Sequence, residues 1–173
     1  FDNNPNLDKH AQITRNSAAE GMVLLKNNGA LPLTNVTNIA LLGVTSYEFI
    51  AGGSGSGDVN EAYTISLEEG LFNGGFKINT LGKQLFEAHK NANLKGFKRP
   101  EGLDAIFTPY SPPEIDYSKE QLDQIAATSD VGIFTLGRNA GEGGDRMEED
   151  DFLLTSAEIA LINNITQAFH SQG

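Results

Sequence analysis

Asp130-Val131-Gly132-Ile133-Phe134-Thr135-Leu136-Gly137 is the stretch on which the fold turns. Its apolar residues are nearly continuous, the pattern of a strand buried on both faces in a parallel sheet. The flanks carry helix signals. Ser118-Lys119-Glu120-Gln121 is a capping box, in which the hydroxyl and the amide three residues on satisfy each other's ends, and it predicts a helix to about Thr128. Thr155-Ser156-Ala157-Glu158 is another, opening a long amphipathic helix with Ile159, Leu161, Ile162, Ile165 and Phe169.

Working towards the amino terminus, the alternation persists. Phe76 to Thr80 reads as a strand and Gly82 to about Ala92 as a surface helix. Ser66-Leu67-Glu68-Glu69 caps a short helix to about Phe72, and Asn38 to Leu42 (NIALL) is a short apolar strand closed by Gly43. Residues 8–26 place Ala11, Ala18, Met22 and Leu25 at helical spacing, with Gly29 as terminator. Residues 94–117 contain Pro100, Pro109, Pro112 and Pro113 and predict an irregular connection, with a short extended piece near Ile106–Phe107.

Strands alternating with helices predict an α/β fold, a three-layer α/β/α sandwich with a mostly parallel sheet. The predicted last helix closes the chain where another strand is due, so the sheet is expected to stop short of its last strands. The opening Phe1-Asp2-Asn3-Asn4-Pro5 reads as a linker.

Composition removes several function classes. There is no cysteine, so disulfides, thiolate chemistry and cysteine-held metals are excluded. The net charge of −11 is polarised: residues 1–100 hold nine acidic and nine basic groups, residues 101–173 fourteen acidic and three basic. Such a surface repels phosphate backbones and argues against nucleic acid, but a neutral sugar is not repelled. No apolar run reaches membrane-spanning length, so no membrane partner is expected.

Two segments invite chemistry. The glycine-rich Gly52-Gly53-Ser54-Gly55-Ser56-Gly57 has the glycine spacing of a phosphate loop, but Asp58-Val59 follows where Lys-Ser/Thr belongs. It reads as a close-packed turn, or as a loop bordering a substrate pocket, with Gly53, Ser54 and Gly55 as its candidate residues. A serine nucleophile fails too, because no G-x-S-x-G elbow sits on a strand-to-helix turn. The other segment is Gly137-Arg138-Asn139-Ala140-Gly141-Glu142-Gly143-Gly144-Asp145-Arg146, leaving the carboxyl end of the predicted strand, where open α/β sheets bind ligands. Glu142 lies between Gly141 and Gly143, which leave its carboxyl unobstructed. It reads either as a general acid on a loop or as an exposed glutamate without a role. Asp145 and Arg146 read as a pair that pins this loop. Glu148-Glu149-Asp150-Asp151 lacks the spacing of a calcium loop, and His10, His89 and His170 are scattered, so no metal or other cofactor is assigned.

These motifs, in this order, resemble glycoside hydrolase family 3. Ala18-Ala19-Glu20-Gly21-Met22-Val23-Leu24-Leu25-Lys26-Asn27 with Leu31-Pro32-Leu33 is similar to the start of its sandwich domain. NIALLG, GGSGSGDVN, Ser66-Leu67-Glu68-Glu69-Gly70-Leu71 and the Gly141-Glu142-Gly143 loop with Asp145-Arg146 follow. The resemblance implies a retaining β-glycosidase acting on terminal β-D-glycosides. A barrel domain supplies an aspartate nucleophile, and Glu142 matches the acid/base glutamate. It implies that residues 1–8 are a linker arriving from that barrel, that 9–173 are an incomplete sandwich domain, and that this chain alone is inactive. A β-linked oligosaccharide or aryl glycoside is the implied substrate and the parent's barrel the implied partner. The competing readings are a noncatalytic carbohydrate-binding or scaffolding domain, disfavoured by the absence of tryptophan, and a nucleotide-binding α/β domain.

Overall fold

The computed structural model describes residues 4–57, 59, 61–139 and 147–172. The chain divides into two units, Phe1–Asn35 and Val36–Gly173.

In the first unit, helix α1 spans Leu7–Glu20, and the Asn6 side chain accepts from the Lys9 amide to start it. The helix was expected to run to residue 26, but it stops at Gly21, whose amide closes the last turn on the Ser17 carbonyl. Glycine is costly inside a helix and well suited to ending one. Beyond it, the Asn27 side chain organises a turn, accepting from the amides of Gly29 and Leu31 and donating to the Leu31 carbonyl.

The second unit holds the sheet. Strand β1 (Asn38–Leu42) lies between β2 (Lys77–Ile78) and β3 (Val131–Phe134), parallel to both. Ile39, Ala40, Leu41 and Leu42 are completely buried. Side chains alternate across a strand, so the sheet is covered on both faces and forms the middle layer of an α/β/α arrangement. Helix α2 (Leu67–Asn73) packs against β2, α3 (Thr80–Ala92) against β1, and α6 (Ser156–His170) against β3 and against α5 (Lys119–Ala127). Ala40 and Leu42 join Phe86, Leu122, Ile125, Leu161 and Ile165 in the core. Each large aliphatic side chain buried there contributes about 2 kcal/mol. Gly132, which pairs with Ala40, is needed for this packing: a Cβ on it would meet the Phe169 ring of α6 at 2.7 Å.

The capping signals in the second unit hold. Ser118 and Thr155 both form complete capping boxes, with Gln121 and Glu158, and the Ser66 hydroxyl accepts from the Glu69 amide. Three other expectations are corrected. Strand β2 is shorter than Phe76 to Thr80, because Asn79 leaves the strand to cap α3, accepting from the amides of Leu81 and Gly82. Asn79 is buried, and its amide group donates to the hydroxyls of Thr128 and Ser129 beyond α5. The Ile106–Phe107 piece is not extended but part of a single helical turn, α4 (Asp104–Phe107). Strand β3 is half-buried rather than fully buried, because β1 takes the central position and β3 the outer one in the order β2-β1-β3. The proline-rich connection contributes Tyr110, Ile115 and Tyr117 to the buried set.

Gly43 closes β1 with φ +85° and ψ 144°, a conformation reserved for glycine. A Cβ there would lie 2.3 Å from the Thr135 carbonyl oxygen. Gly75 also has positive φ (+91°), but open space surrounds it. Gly75→Ala is expected to cost about 1 kcal/mol of conformational strain alone. Gly43→Ala is expected to cost about 2–4 kcal/mol, because strain and overlap add. Chemical denaturation of the two variants checks this; equal losses would mean that the close approach of β1 and β3 carries no energetic weight.

Candidate functional site

The strand order decides where a ligand fits. From β1 the chain crosses to β2 on one side, then returns past β1 to β3 on the other. The carboxyl ends of β1 and β3 are therefore neighbours at the point where the strand order reverses, the switch point where open α/β sheets hold ligands. A cleft of about 530 Å³ lies there. Val44, Thr45 and Ile50 border it from the β1 side and Leu136 to Asn139 from the β3 side. The proline-rich stretch Pro109–Glu114 forms a third wall, and Asp150, Asp151, Thr155 and Glu158 complete it.

The two loops are locked together. Thr45 donates to the Thr135 hydroxyl at 2.7 Å, Thr135 and Ser46 share a bond of 2.9 Å, and the buried Ser46 donates to the Leu42 carbonyl at 2.8 Å. Gly137 passes so close that a Cβ on it would meet the Thr45 methyl at 2.6 Å.

Glu114 anchors the third wall. One carboxylate oxygen accepts from the Val44 amide at 2.8 Å, just beyond β1, and from the Ile115 amide at 2.9 Å. Burial pushes the Glu114 carboxyl above the ordinary glutamate value, against the pull of those two amides. Nearby, Tyr110 donates to Glu48, which also pairs with Lys90, and burial followed by the Glu48 charge pushes its phenol up to about 12.

Arg138 is the cation of the cleft wall among the described residues. Its guanidinium forks onto Glu158, Nη1 to Oε1 and Nη2 to Oε2, both at 2.7 Å. It also donates to the carbonyls of Gly137 and Asp151. The Arg138 pair, followed by the Thr155 amide, holds Glu158 below the usual glutamate value.

The residues singled out in the sequence divide. Glu142, Gly141, Gly143, Asp145 and Arg146 lie outside the described residues. Gly53 and Ser54 border a small cavity of about 20 Å³ with Arg99, Tyr110 and Asn139. Ser54 is buried there, and its hydroxyl has no partner among the described residues. Gly55 opens the helical turn Gly55–Gly57, which packs against α4. Glu148 to Asp151 form an exposed to half-exposed turn with Asp150 at φ +56°. Among the described residues no group of three or more His, Asp or Glu side chains is placed to hold a metal ion. Sequence reasoning missed Glu114 and the Arg138–Glu158 fork. Glu158 carried a local signal, as a capping residue, but nothing in the chain points to its second partner.

Comparison with known proteins gives a consistent result. The family model for the glycosyl hydrolase family 3 C-terminal domain matches residues 22–171. Beta-glucosidase A of Butyrivibrio fibrisolvens is 30% identical over 94% of this chain and 22% of its own length. The beta-glucosidase of Ruminococcus albus is 30% identical over 98% of this chain and 17% of its own. Among solved structures, beta-glucosidase 3B from Thermotoga neapolitana in complex with alpha-D-glucose superposes with a TM-score of 0.81 at 32% identity. That match covers 100% of this chain and 24% of the other. The chain thus spans about a fifth of the curated relatives' length, 22% and 17% in these two.

Glu158 and Glu114 answer pH with opposite signs. Glu158 is held below 4.5, so its contribution is present above that value and is lost as pH falls through the lowered folded pKa. Glu114 is held above 4.5, so the fold favours its protonated form, and that advantage is lost as pH rises through the raised folded pKa. Glu158→Gln is expected to be less stable than the parent at neutral pH and to converge with it in acid. Glu114→Gln keeps an acceptor for the Val44 amide and is expected to gain on the parent as pH rises. Denaturant unfolding across the acid-to-neutral range measures both; a gap that does not vary with pH for either variant would refute its assignment.

Proposed function

The chain belongs to the C-terminal domain family of family 3 glycosyl hydrolases, and we propose that it forms the sandwich half of a retaining β-glucosidase-type active site, with Glu142 as the general acid/base. The observation that carries this reading is the switch-point cleft. Asn139 and Asp150, the described residues that flank the stretch containing Glu142 on either side, both line it. A cleft at that end of the sheet is where a general acid would meet a glycosidic bond.

The chemistry follows from the retaining mechanism. An aspartate on the barrel domain proposed for the rest of the protein attacks the anomeric carbon as the bond to the departing oxygen breaks. Glu142 gives that oxygen its proton. A covalent glycosyl-enzyme remains, and Glu142, now a carboxylate, takes a proton from the water that releases the sugar with its original configuration. Glu142 must be protonated for the first half, which requires a raised pKa supplied by burial against the barrel and by the nearby nucleophile. In this assignment residues 1–8 are the linker from the barrel, and 9–173 are the sandwich domain. The substrate is a terminal β-linked glucoside in an oligosaccharide or aryl glycoside. The isolated chain holds one of the two carboxylates and is inactive.

The test uses the full-length protein carrying Glu142→Ala, assayed on an aryl β-glucoside with a very good leaving group and on cellobiose. Loss of about 100-fold or more in kcat/KM on cellobiose is expected, with the activated substrate largely spared. Azide is expected to restore turnover and yield a β-glucosyl azide. Equal modest losses on both substrates without azide rescue would place the proton donor elsewhere. Calorimetry on the isolated chain with gluco-oligosaccharides is expected to show no binding; affinity there would favour a carbohydrate-binding module.

A further inference from the structure

We infer that Glu114 is a specificity-determining residue of the cleft: its second carboxylate oxygen accepts a hydrogen bond from a hydroxyl on the leaving-group part of the substrate. This inference rests on the proposed β-glucosidase-type reaction, though not on which residue gives the proton, and adds the chemical group by which the cleft chooses among leaving groups.

The carboxylate is aimed before any ligand arrives. Its Oε1 takes two amides, that of Val44 at 2.8 Å and that of Ile115 at 2.9 Å. Val44 directly follows the glycine that closes β1, so the first bond ties the group to the sheet. The second ties it to its own backbone, and that backbone is stiff. Pro112 and Pro113 precede Glu114 with their φ angles fixed by the ring. His89 of α3 donates from Nε2 to the Pro113 carbonyl at 2.9 Å, a direction set by the carbonyl, which can only accept. Ile115 and Tyr117 follow, both buried. With Oε1 committed, Oε2 accepts from no described residue. Nor is it sealed in the interior as an unpaired atom. Glu114 lines the cleft, so this oxygen is open to what the cleft holds.

The surroundings define the ligand. An ionised carboxylate only accepts, so its partner must bring a donor. The charges that act on Glu114 are His89, which favours the ionised form, and Glu158, which opposes it. An anionic leaving group is unwelcome. Asp150, Asp151 and Glu158 share the walls, and Arg138, the cation there among the described residues, is forked onto Glu158. Val44, Ile50, Pro112, Pro113 and Leu136 add apolar surface. A sugar matches this mixture, with apolar C–H faces and hydroxyls that donate at its edge, and a cleft of about 530 Å³ is of ordinary size for such a ligand. A hydrogen bond to an ionised acceptor is roughly twice as strong as a neutral one. A leaving group without the hydroxyl strips water from the carboxylate and returns nothing, which is how a buried polar group discriminates.

The experiment uses the full-length protein and reads one ratio, kcat/KM on cellobiose over kcat/KM on ethyl β-glucoside. Both leaving groups need a proton, and only the first carries further hydroxyls. Glu114→Gln keeps an acceptor for the Val44 amide and replaces the charged oxygen with a neutral amide. It is expected to lower the ratio about tenfold, mainly through KM for cellobiose. An unchanged ratio would overturn the assignment whatever happens to the absolute rates, since a damaged fold lowers both. Glu142→Ala keeps the two readings apart: it is expected to lower both rates, leave the ratio alone and spare an activated aryl β-glucoside. If it does not spare the aryl substrate, the reading of Glu142 falls, and Glu114 is still judged by its own ratio. Should Glu114→Gln fail to fold, the unsubstituted protein decides. Protonation removes the charged acceptor, so the ratio is expected to fall as pH drops from neutral through the raised Glu114 pKa. A ratio constant across that span would overturn the assignment.

Discussion

Gly43 allows β1 and β3 to come together at their carboxyl ends, and the site depends on that approach. The absent side chain leaves the Thr135 carbonyl room to lie against the turn that ends β1. From this contact follow the hydroxyl chain through Thr45, Thr135 and Ser46, the close passage of Gly137 over Thr45, and the direction in which Arg138 leaves the sheet. The cleft is the space left above this junction. Its walls are set by a backbone-to-backbone constraint, and the functional side chains are mounted on it.

Signals confined to a few residues were legible in the sequence. The capping boxes at Ser118 and Thr155 each lie within four residues, so the chemistry that starts α5 and α6 is written in one place. The same holds for β1 and its closing glycine, and for the parallel α/β class read from alternating strands and helices. Misreadings arose where one residue had a competing local use. Gly21 ends α1 within a pattern whose spacing runs on to Leu25, and Asn79 sits inside the stretch Phe76 to Thr80 that reads as a strand but serves a helix start.

What stayed hidden was non-local. Glu114 meets Val44 across seventy positions, and Asn79 meets Ser129 across fifty. No periodicity encodes such meetings; they exist because the sheet order brings the elements together. The half-burial of β3 is of the same kind, since an apolar run cannot say which strand takes the centre. For the candidate site, the sequence put the loop after β3 at the carboxyl end of that strand, and the described residues Leu136 to Asn139 line the cleft there. The role proposed for Glu142 rests on family resemblance, and the cleft walls came from the fold.

Glu158 does two jobs with one carboxylate: it completes the first turn of α6 and receives the Arg138 fork. Glutamine would satisfy the turn but not the guanidinium, and aspartate would be a methylene short for either. Positions 138 and 158 are therefore coupled unequally: a change at 138 leaves the start of α6 intact and strands a half-buried carboxylate, whereas a change at 158 can cost both the fork and the first turn of the helix.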